Sequence, residues 1–270
     1  MFRATLTAPR RVLSWCGVAA LLATAGACGS DTSTTSANGD ASPKGSTTTS
    51  APVIDPGDGG NYAPEVDPAQ FVERIDNPYL PLLPGASWVY ESVEGDEKER
   101  IEVVVTSERR EVMGISAVVV RDTVSVDGEV IEDTFDWYAQ DRAGNVWYLG
   151  EDTTEYEDGQ AVSTEGAWEA GVDGALPGIV MPAMPAVGDA YRQEYYAGEA
   201  EDMAEVVKIG RSLAVALGTY ADVLTIREWT PLEPDVVEDK SYAPGVGVIL
   251  EQKVRGGTGR VELVEFTPGS

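Results

Sequence analysis

Nucleophilic catalysis has few residues to work with in this chain. Its 270 residues contain no histidine, so no imidazole can serve as the base of a Ser-His-Asp or Cys-His site or as a zinc ligand. Residues 210–214 (Gly-Arg-Ser-Leu-Ala) begin like a nucleophile elbow but lack the final glycine. We therefore expect a turn leading into a strand there, and we predict no catalytic residue.

Acidic residues could gather oxygen ligands for a cation in two places. Residues 151–159 read Glu-Asp-Thr-Thr-Glu-Tyr-Glu-Asp-Gly, and residues 199–205 are also acidic. The first run fits no EF-hand spacing, and alternation along a hairpin would divide its carboxylates between two faces. A Ca²⁺ site at 151–159 stays open as an alternative, but a solvated edge hairpin is favoured because charges protect a sheet edge. No metal site and no cofactor are predicted.

Large aromatic residues form the most suggestive set. Phe135, Trp137 and Tyr138 fall on one expected strand, and Trp147 and Tyr148 fall on the next, joined by a short turn. Phe135 and Trp137 share one face of their strand, whereas Tyr138 points to the other. Each face of this hairpin therefore carries rings, which a sheet covered on one side only would not need.

Three interpretations of the aromatic hairpin remain open. Its rings could pack in a core beneath a second layer, line an apolar cleft for a lipid or other hydrophobic ligand, or form a sugar-stacking platform. In the last case Asp136 or Glu132 would be the catalytic carboxylate. The candidate ligand-binding residues are Trp137, Tyr138, Trp147 and Tyr148.

The N-terminal residues indicate export. Three arginines within residues 3–11 precede an apolar stretch, 12–22, that is too short to span a bilayer. Residues 25–30 (Ala-Gly-Ala-Cys-Gly-Ser) resemble a bacterial lipobox, in which small residues precede the cysteine that receives the lipid. We expect residues 1–27 to be a lipoprotein signal peptide, and Cys28 to carry an acyl (palmitate) anchor in the cell membrane with the protein facing outside. Cleavage by the ordinary signal peptidase is the alternative.

The mature chain is expected to be a strongly acidic domain on a tether. Residues 28–63 comprise the lipidated cysteine and a segment of Ser, Thr, Gly and Pro that cannot bury enough apolar surface to become ordered. The net charge of −27 falls to −30 once residues 1–27 are removed. This charge repels phosphate backbones, so no nucleic acid partner is expected, and a cationic or neutral apolar target is favoured. Only Cys28 of the two cysteines survives processing, so the domain contains no disulfide.

Residues 64–268 are predicted to form one all-β domain, an antiparallel meander that makes a curved sheet or half-barrel. Apolar and polar residues alternate in 98–105, and Asp-Gly pairs at 127–128 and 158–159 indicate tight hairpins. One short N-terminal helix is expected, with Asp67 as its cap and Pro68 in its first turn. Residues 164–187, rich in Gly and Pro, are expected to be a connector.

The domain is also predicted to contain two tandem repeats, about 80–160 and 181–265. At an offset of 103, Gly85 and Val103 of the first unit match Gly188 and Val206 of the second. The first unit opens with Pro-x-x-x-Gly-x-x-Trp-x-Tyr at 81–90, and the second closes with Ala-Pro-Gly-Val-Gly at 243–247. This pattern resembles secreted bacterial lipoproteins with TapB-like β-meander units. The resemblance implies a curved antiparallel sheet, no established activity and no catalytic residues.

Two functional hypotheses of different class remain. The first is a membrane-anchored extracytoplasmic lipoprotein that binds an apolar or neutral ligand, or an envelope partner, without catalysis. The second is a carboxylate-based envelope hydrolase acting on a carbohydrate, which needs two carboxyl groups about 5 to 9 Å apart in a concave pocket.

Overall fold

The computed structural model describes residues 62–95 and 97–270. The expected signal peptide, Cys28 and nearly all of the expected tether lie outside the described residues. Sixteen β-strands and a single three-residue 3₁₀ turn make up the regular structure of the described part. The all-β antiparallel prediction is therefore confirmed.

The strands fall into two groups along the chain. The first eight are β1 (Phe71–Val72), β2 (Ser87–Glu94), β3 (Glu97–Val112), β4 (Ile115–Val126), β5 (Glu129–Asp141), β6 (Val146–Glu157), β7 (Gln160–Ser163) and β8 (Trp168–Glu169). The other eight are β9 (Leu176–Met181), β10 (Ala190–Arg192), β11 (Glu194–Tyr195), β12 (Met203–Val215), β13 (Gly218–Trp229), β14 (Val237–Ala243), β15 (Gly247–Arg255) and β16 (Arg260–Thr267).

Thirteen of these strands form one path in the order β10-β12-β13-β14-β15-β16-β2-β3-β4-β5-β6-β9-β11. Its two end strands, β10 and β11, are separated in sequence only by Gln193. Since β10 pairs with β12 while β11 pairs with β9, the two ends of the path meet. The sheet is therefore nearly closed and barrel-like, with a continuous interior.

The closure depends on a short pairing that we call the β9–β11 seam. Two residue pairs make it, and the backbone approaches so closely at Gly178 that a Cβ there would collide with the backbone of Gln193. Tyr62, the first described residue, also lies at the seam: its hydroxyl donates to the Pro177 carbonyl at 2.6 Å, and its ring packs 5.8 Å from that of Tyr195. Gly178 thus allows two backbones to approach where a side chain would keep them apart.

The predicted hairpin turns form as expected. Asp127 and Gly128 have φ of 52° and 86°, and Asp158 and Gly159 have φ of 50° and 72°. Positive φ at both central residues matches the right-handed twist of the strands they join, β4–β5 and β6–β7. Local turn chemistry therefore sets the register of these two hairpins.

Two expectations about the non-strand segments change in the structure. The expected N-terminal helix is only the 3₁₀ turn Pro68–Gln70, although Asp67 does cap it by accepting from the Ala69 amide at 3.0 Å. Pairing of β1 with β5 extends the backbone immediately after the turn. The expected connector 164–187 contains β8 and β9, both of which pair with β6, so a third of its residues belong to the sheet.

Candidate functional site

The curved sheet lines a pocket that is partly open to solvent. Most of its wall is aliphatic or aromatic, and the segment before β2 contributes to one side. The apolar and aromatic lining residues are Leu80, Leu82, Trp88, Tyr90, Val103, Val120, Tyr138, Val180, Tyr242 and Val248. Strands from both halves of the sheet therefore build one pocket.

Four polar side chains interrupt this wall, and we call them the polar patch: Asp136, Gln193, Glu228 and Lys240. Lys240 Nζ lies 2.7 Å from Glu228 Oε2. Gln193 Nε2 donates to Glu228 Oε1 at 3.0 Å. The Glu228 carboxylate thus links strand β13 to β14 and to the residue between β10 and β11.

Asp136 is held differently from Glu228. The Tyr148 hydroxyl donates to Asp136 Oδ1 at 2.7 Å, and the rings of Tyr148 and Tyr138 stack with centroids 4.9 Å apart. Burial raises the pKa of Asp136 to about 7, although the Tyr148 hydrogen bond and the charge of Lys240 both act to lower it. The pocket therefore presents a carboxyl group that gains or loses its proton near neutral pH.

Further buried carboxyl groups interact electrostatically with members of the polar patch. Burial raises the pKa of Asp122, Glu151 and Glu194 well above the usual range, and raises that of Glu251 to about 8 and that of Asp202 to about 7. Asp122 on β4 is also affected by Glu251 on β15, several strands away along the path. These carboxyl groups therefore interact with one another across the sheet and favour each other's protonated form.

Acids outnumber bases in the interior. Among the described residues, the buried acids are Asp122, Glu132, Asp136, Glu151, Glu194, Glu228 and Glu251, whereas the buried basic residues are Arg192 and Lys240. Neither carboxylate oxygen of Asp122 has a hydrogen-bond partner within 62–95 and 97–270. Buried polar groups without partners are costly and rare, so the Asp122 carboxyl group destabilises the fold when it is ionised.

The four candidate aromatic residues divide between two environments. Tyr138 lines the pocket, and Tyr148 holds Asp136. Trp137 and Trp147 are only 4% and 6% exposed and pack elsewhere. The Arg110 guanidinium lies 3.9 Å above the Trp137 ring. The two tryptophans are therefore packed in the core, whereas Tyr138 lines the pocket.

Trp147 is tied to the turn after β5. Its indole Nε1 donates to Asp141 Oδ2 at 3.0 Å, and its ring packs against Phe71 with centroids 6.2 Å apart. The pairing of β1 with β5 places Phe71 beside Asp141. This tryptophan therefore anchors the N-terminal strand to the sheet.

The acidic run 151–159 divides between two faces, as alternation predicts. Glu151 is buried in the interior, whereas Asp152 is exposed. No cluster of His, Cys, Asp and Glu in the described part of the chain has the arrangement needed to hold a metal ion. Ser212 lies exposed within strand β12 and not in the expected turn. Among the same residues, no helix has the length and apolarity needed to cross a membrane.

The sequence interpretation missed three members of the polar patch: Gln193, Glu228 and Lys240. A signal for Glu228 exists, since it shares the period-two face of β13 with Leu224 and Ile226, both fully buried. A charged residue on an otherwise buried apolar face is a signal for a candidate functional site. No comparable local signal marks Gln193.

Comparisons with known proteins give one solved structure. A candidate lipoprotein from Parabacteroides distasonis ATCC 8503 is similar to this chain with a TM-score of 0.40 and 12% identity, over 71% of this chain and 99% of that one. Such a TM-score is too low to assign a fold or a function. No family model matches the chain, and no curated protein matches it significantly. The resemblance to TapB-like proteins stays a prediction.

Proposed function

We propose that this protein is an extracytoplasmic lipoprotein that binds a small, largely apolar ligand in the pocket of its sheet without converting it. The observation that carries the proposal is the pocket itself: an apolar wall interrupted by a polar patch. Small-molecule sites typically combine apolar walls with a few placed polar groups. The wall would hold the body of the ligand, and the patch would orient one end.

The chemistry of the polar patch supports a binding role over a purely structural one. A buried ion pair stabilises a fold little, because desolvation offsets much of its Coulomb energy. Glu228 and Lys240 nevertheless form a buried ion pair in the pocket lining, and the pKa of Asp136 is raised to about 7 beside them. Perturbed carboxyl groups inside a pocket are characteristic of functional sites.

The proposed tandem repeat explains why both halves of the chain reach the same pocket. Arg121 pairs with Asp133 at 2.7 Å, and Arg227 pairs with Asp239 at 2.8 Å, at a common offset of 106. Each pair joins equivalent neighbours of the two meanders, β4 with β5 and β13 with β14. We infer that units of about 80–160 and 181–265 arose by duplication and that each supplies one wall.

The proposed anchor is tested at Cys28. The lipobox-like residues 25–30 support attachment of a lipid to Cys28, and the Ser- and Thr-rich residues after it provide reach from the membrane. Cys28→Ala should move the protein from the membrane fraction to the medium, whereas Cys16→Ala, within the expected signal peptide, should not. Equal membrane retention of the Cys28→Ala and wild-type proteins would refute the anchor.

The pocket is tested with a neutral apolar probe, 1-octanol, by saturation-transfer NMR on protein carrying Cys28→Ala. Leu82→Trp places a larger side chain in the pocket wall, so it should abolish transfer. Leu83→Trp, one residue along and outside the pocket lining, is the matched control and should retain it. Absence of transfer to the wild-type pocket, or undiminished transfer to a folded Leu82→Trp variant, would contradict the proposal.

A carbohydrate hydrolase is the second candidate, because two carboxyl-bearing residues, Asp136 and Glu228, line the same pocket. Asp136, with a pKa raised to about 7, would be the proton donor, and Glu228, paired with Lys240, would be the second carboxyl group of the site. The mostly apolar wall offers sugar hydroxyls few partners. Release of nitrophenol from nitrophenyl glycosides by the wild-type protein, lost in Asp136→Asn, would replace the binding proposal with this one.

A further inference from the structure

We propose that the ligand carries a positively charged amine or quaternary ammonium group, held by Asp136 and Glu228 among the aromatic rings of the pocket. This inference rests on the proposed binding function and names the chemical class of the ligand. The apolar wall would take a hydrocarbon portion, so the ligand is an amphiphilic organic cation.

The pocket carries a net negative charge when Asp136 is ionised. Lys240, the basic member of the polar patch, already faces two carboxyl groups: Glu228 Oε2 at 2.7 Å and Glu251 Oε2 at 3.6 Å. The charge of Lys240 is thus matched within its own cluster. Ionisation of Asp136 then leaves the pocket with a net negative charge, which attracts a cation in an environment with little water to screen it.

Hydrogen-bond donors around the pocket are engaged by protein acceptors, which disfavours an anionic ligand. Gln193 Nε2 donates to Glu228, and the Tyr148 hydroxyl donates to Asp136. The Trp88 indole Nε1 donates to the Val246 carbonyl at 2.7 Å. These donors, which an anionic ligand would need, are therefore engaged within the protein, whereas two acidic residues, Asp136 and Glu228, line the pocket.

The aromatic lining of the pocket favours a cationic group. Four rings line the pocket: Trp88, Tyr90, Tyr138 and Tyr242. Their polar atoms have protein partners, such as the Val248 carbonyl for the Tyr90 hydroxyl at 3.0 Å, so the rings present π surface and not free hydroxyls. Rings gathered beside carboxylates are the usual means of binding quaternary ammonium groups.

The Asp136 carboxyl gives this inference a dependence on pH. Its pKa of about 7 means that it is mostly protonated at pH 5.5 and mostly ionised at pH 8. A cation binds the ionised form, so its affinity should rise with pH across this interval. The titratable groups acting on Asp136 or in contact with it are Tyr138 on β5, Asp122 on β4, Tyr148 and Glu151 on β6, Glu194 on β11 and Lys240 on β14.

The experiment compares three probes of equal chain length: octyltrimethylammonium, 1-octanol and octanoate. Dissociation constants are measured by NMR titration at pH 7.5 on the chain carrying Cys28→Ala. The cation should bind about tenfold or more tightly than octanol, and octanoate should bind most weakly. The affinity for the cation should fall about tenfold at pH 5.5, with no comparable change for octanol.

Two variants separate the pocket charge from the general acidity of the interior. Asp136→Asn should lower affinity for the cation about tenfold and leave octanol binding unchanged. Asp122→Asn is the matched control, because Asp122 is a buried carboxyl outside the pocket lining whose pKa is already raised. It should leave binding of all three probes unchanged.

The outcomes distinguish the two proposals. Octanol or octanoate binding as tightly as the cation would overturn the cationic ligand and leave the binding pocket standing. Absence of binding by all three probes would overturn the proposed function itself. If Asp136→Asn does not fold, the probe series and its pH dependence in the wild-type chain decide the inference.

Discussion

Removal of Lys240 tests how the carboxyl-rich interior is held together. Lys240→Met keeps the length of the side chain and deletes its charge. The side chains of Lys240, Glu228 and Glu251 are 9%, 8% and 3% exposed, so water compensates little for the lost ammonium group. Breaking a buried pair by removing one partner costs about 3–5 kcal/mol, and we expect a loss in this range at pH 7.5.

The stability lost in Lys240→Met should depend on pH, because protonation of a carboxylate can remove the uncompensated charge. Without Lys240, the folded protein can avoid an uncompensated buried charge by binding a proton on a carboxylate. Binding one additional proton in the folded state is worth about 1.4 kcal/mol per pH unit, hence about 3.4 kcal/mol between pH 7.5 and pH 5. The loss caused by Lys240→Met should therefore shrink to about 1 kcal/mol at pH 5.

Urea denaturation monitored by tryptophan fluorescence at both pH values measures this difference. The matched control is Lys253→Met, whose partner Glu94 at 2.7 Å is 34% exposed. We expect that variant to lose less than about 1 kcal/mol, with no strong dependence on pH. A loss for Lys240→Met that is equal at both pH values, or no larger than that of the control, would refute this account of the interior.

Three further predictions concern the same fold. The wild-type protein should be more stable at pH 5 than at pH 8. The pKa values of Asp136, Asp202 and Glu251 are raised in the folded protein, so the folded state binds more protons than the unfolded chain. The free energy of unfolding therefore falls as pH rises through about 4 to 8. Denaturation in high salt, which screens surface repulsion, should preserve this slope. Trp137→Ala should lower the free energy of unfolding by about 3–5 kcal/mol, because the ring is buried; a melting temperature close to wild type would return Trp137 to the surface. Gly178→Ala should separate β9 from β11 and speed hydrogen exchange there, and unchanged protection would show that the close approach can relax.

Features that depend on neighbouring residues could be predicted from the sequence. Alternation separated Asp136 and Tyr138 from Phe135 and Trp137, and Asp-Gly pairs located the hairpins. The Asp67 cap was also predicted correctly, but the helix after it was not, because β1 pairs with a strand about 70 residues away. Local signals fix a cap, whereas long-range pairing decides whether the next residues form a helix or a strand.

The polar patch could not be assembled from the sequence for the same reason. Alternation shows which residues of one strand share a face, but not which strand lies opposite. Asp136 and Glu228 come from strands β5 and β13, and they meet in one pocket only because the sheet curves back on itself. Gln193 joins them through the closure at β10 and β11, which no local pattern predicts.

The position of Tyr62 has a mechanical consequence. Tyr62 contacts Pro177 and Tyr195, one on each strand of the β9–β11 seam. A force applied to the chain before Tyr62 would therefore act on this short strand pairing. Two residue pairs bear that force, and Gln193, which lines the pocket, lies next to them in sequence. If the chain is held to a membrane through Cys28, tension and shear at the cell surface act directly on the junction that closes the pocket.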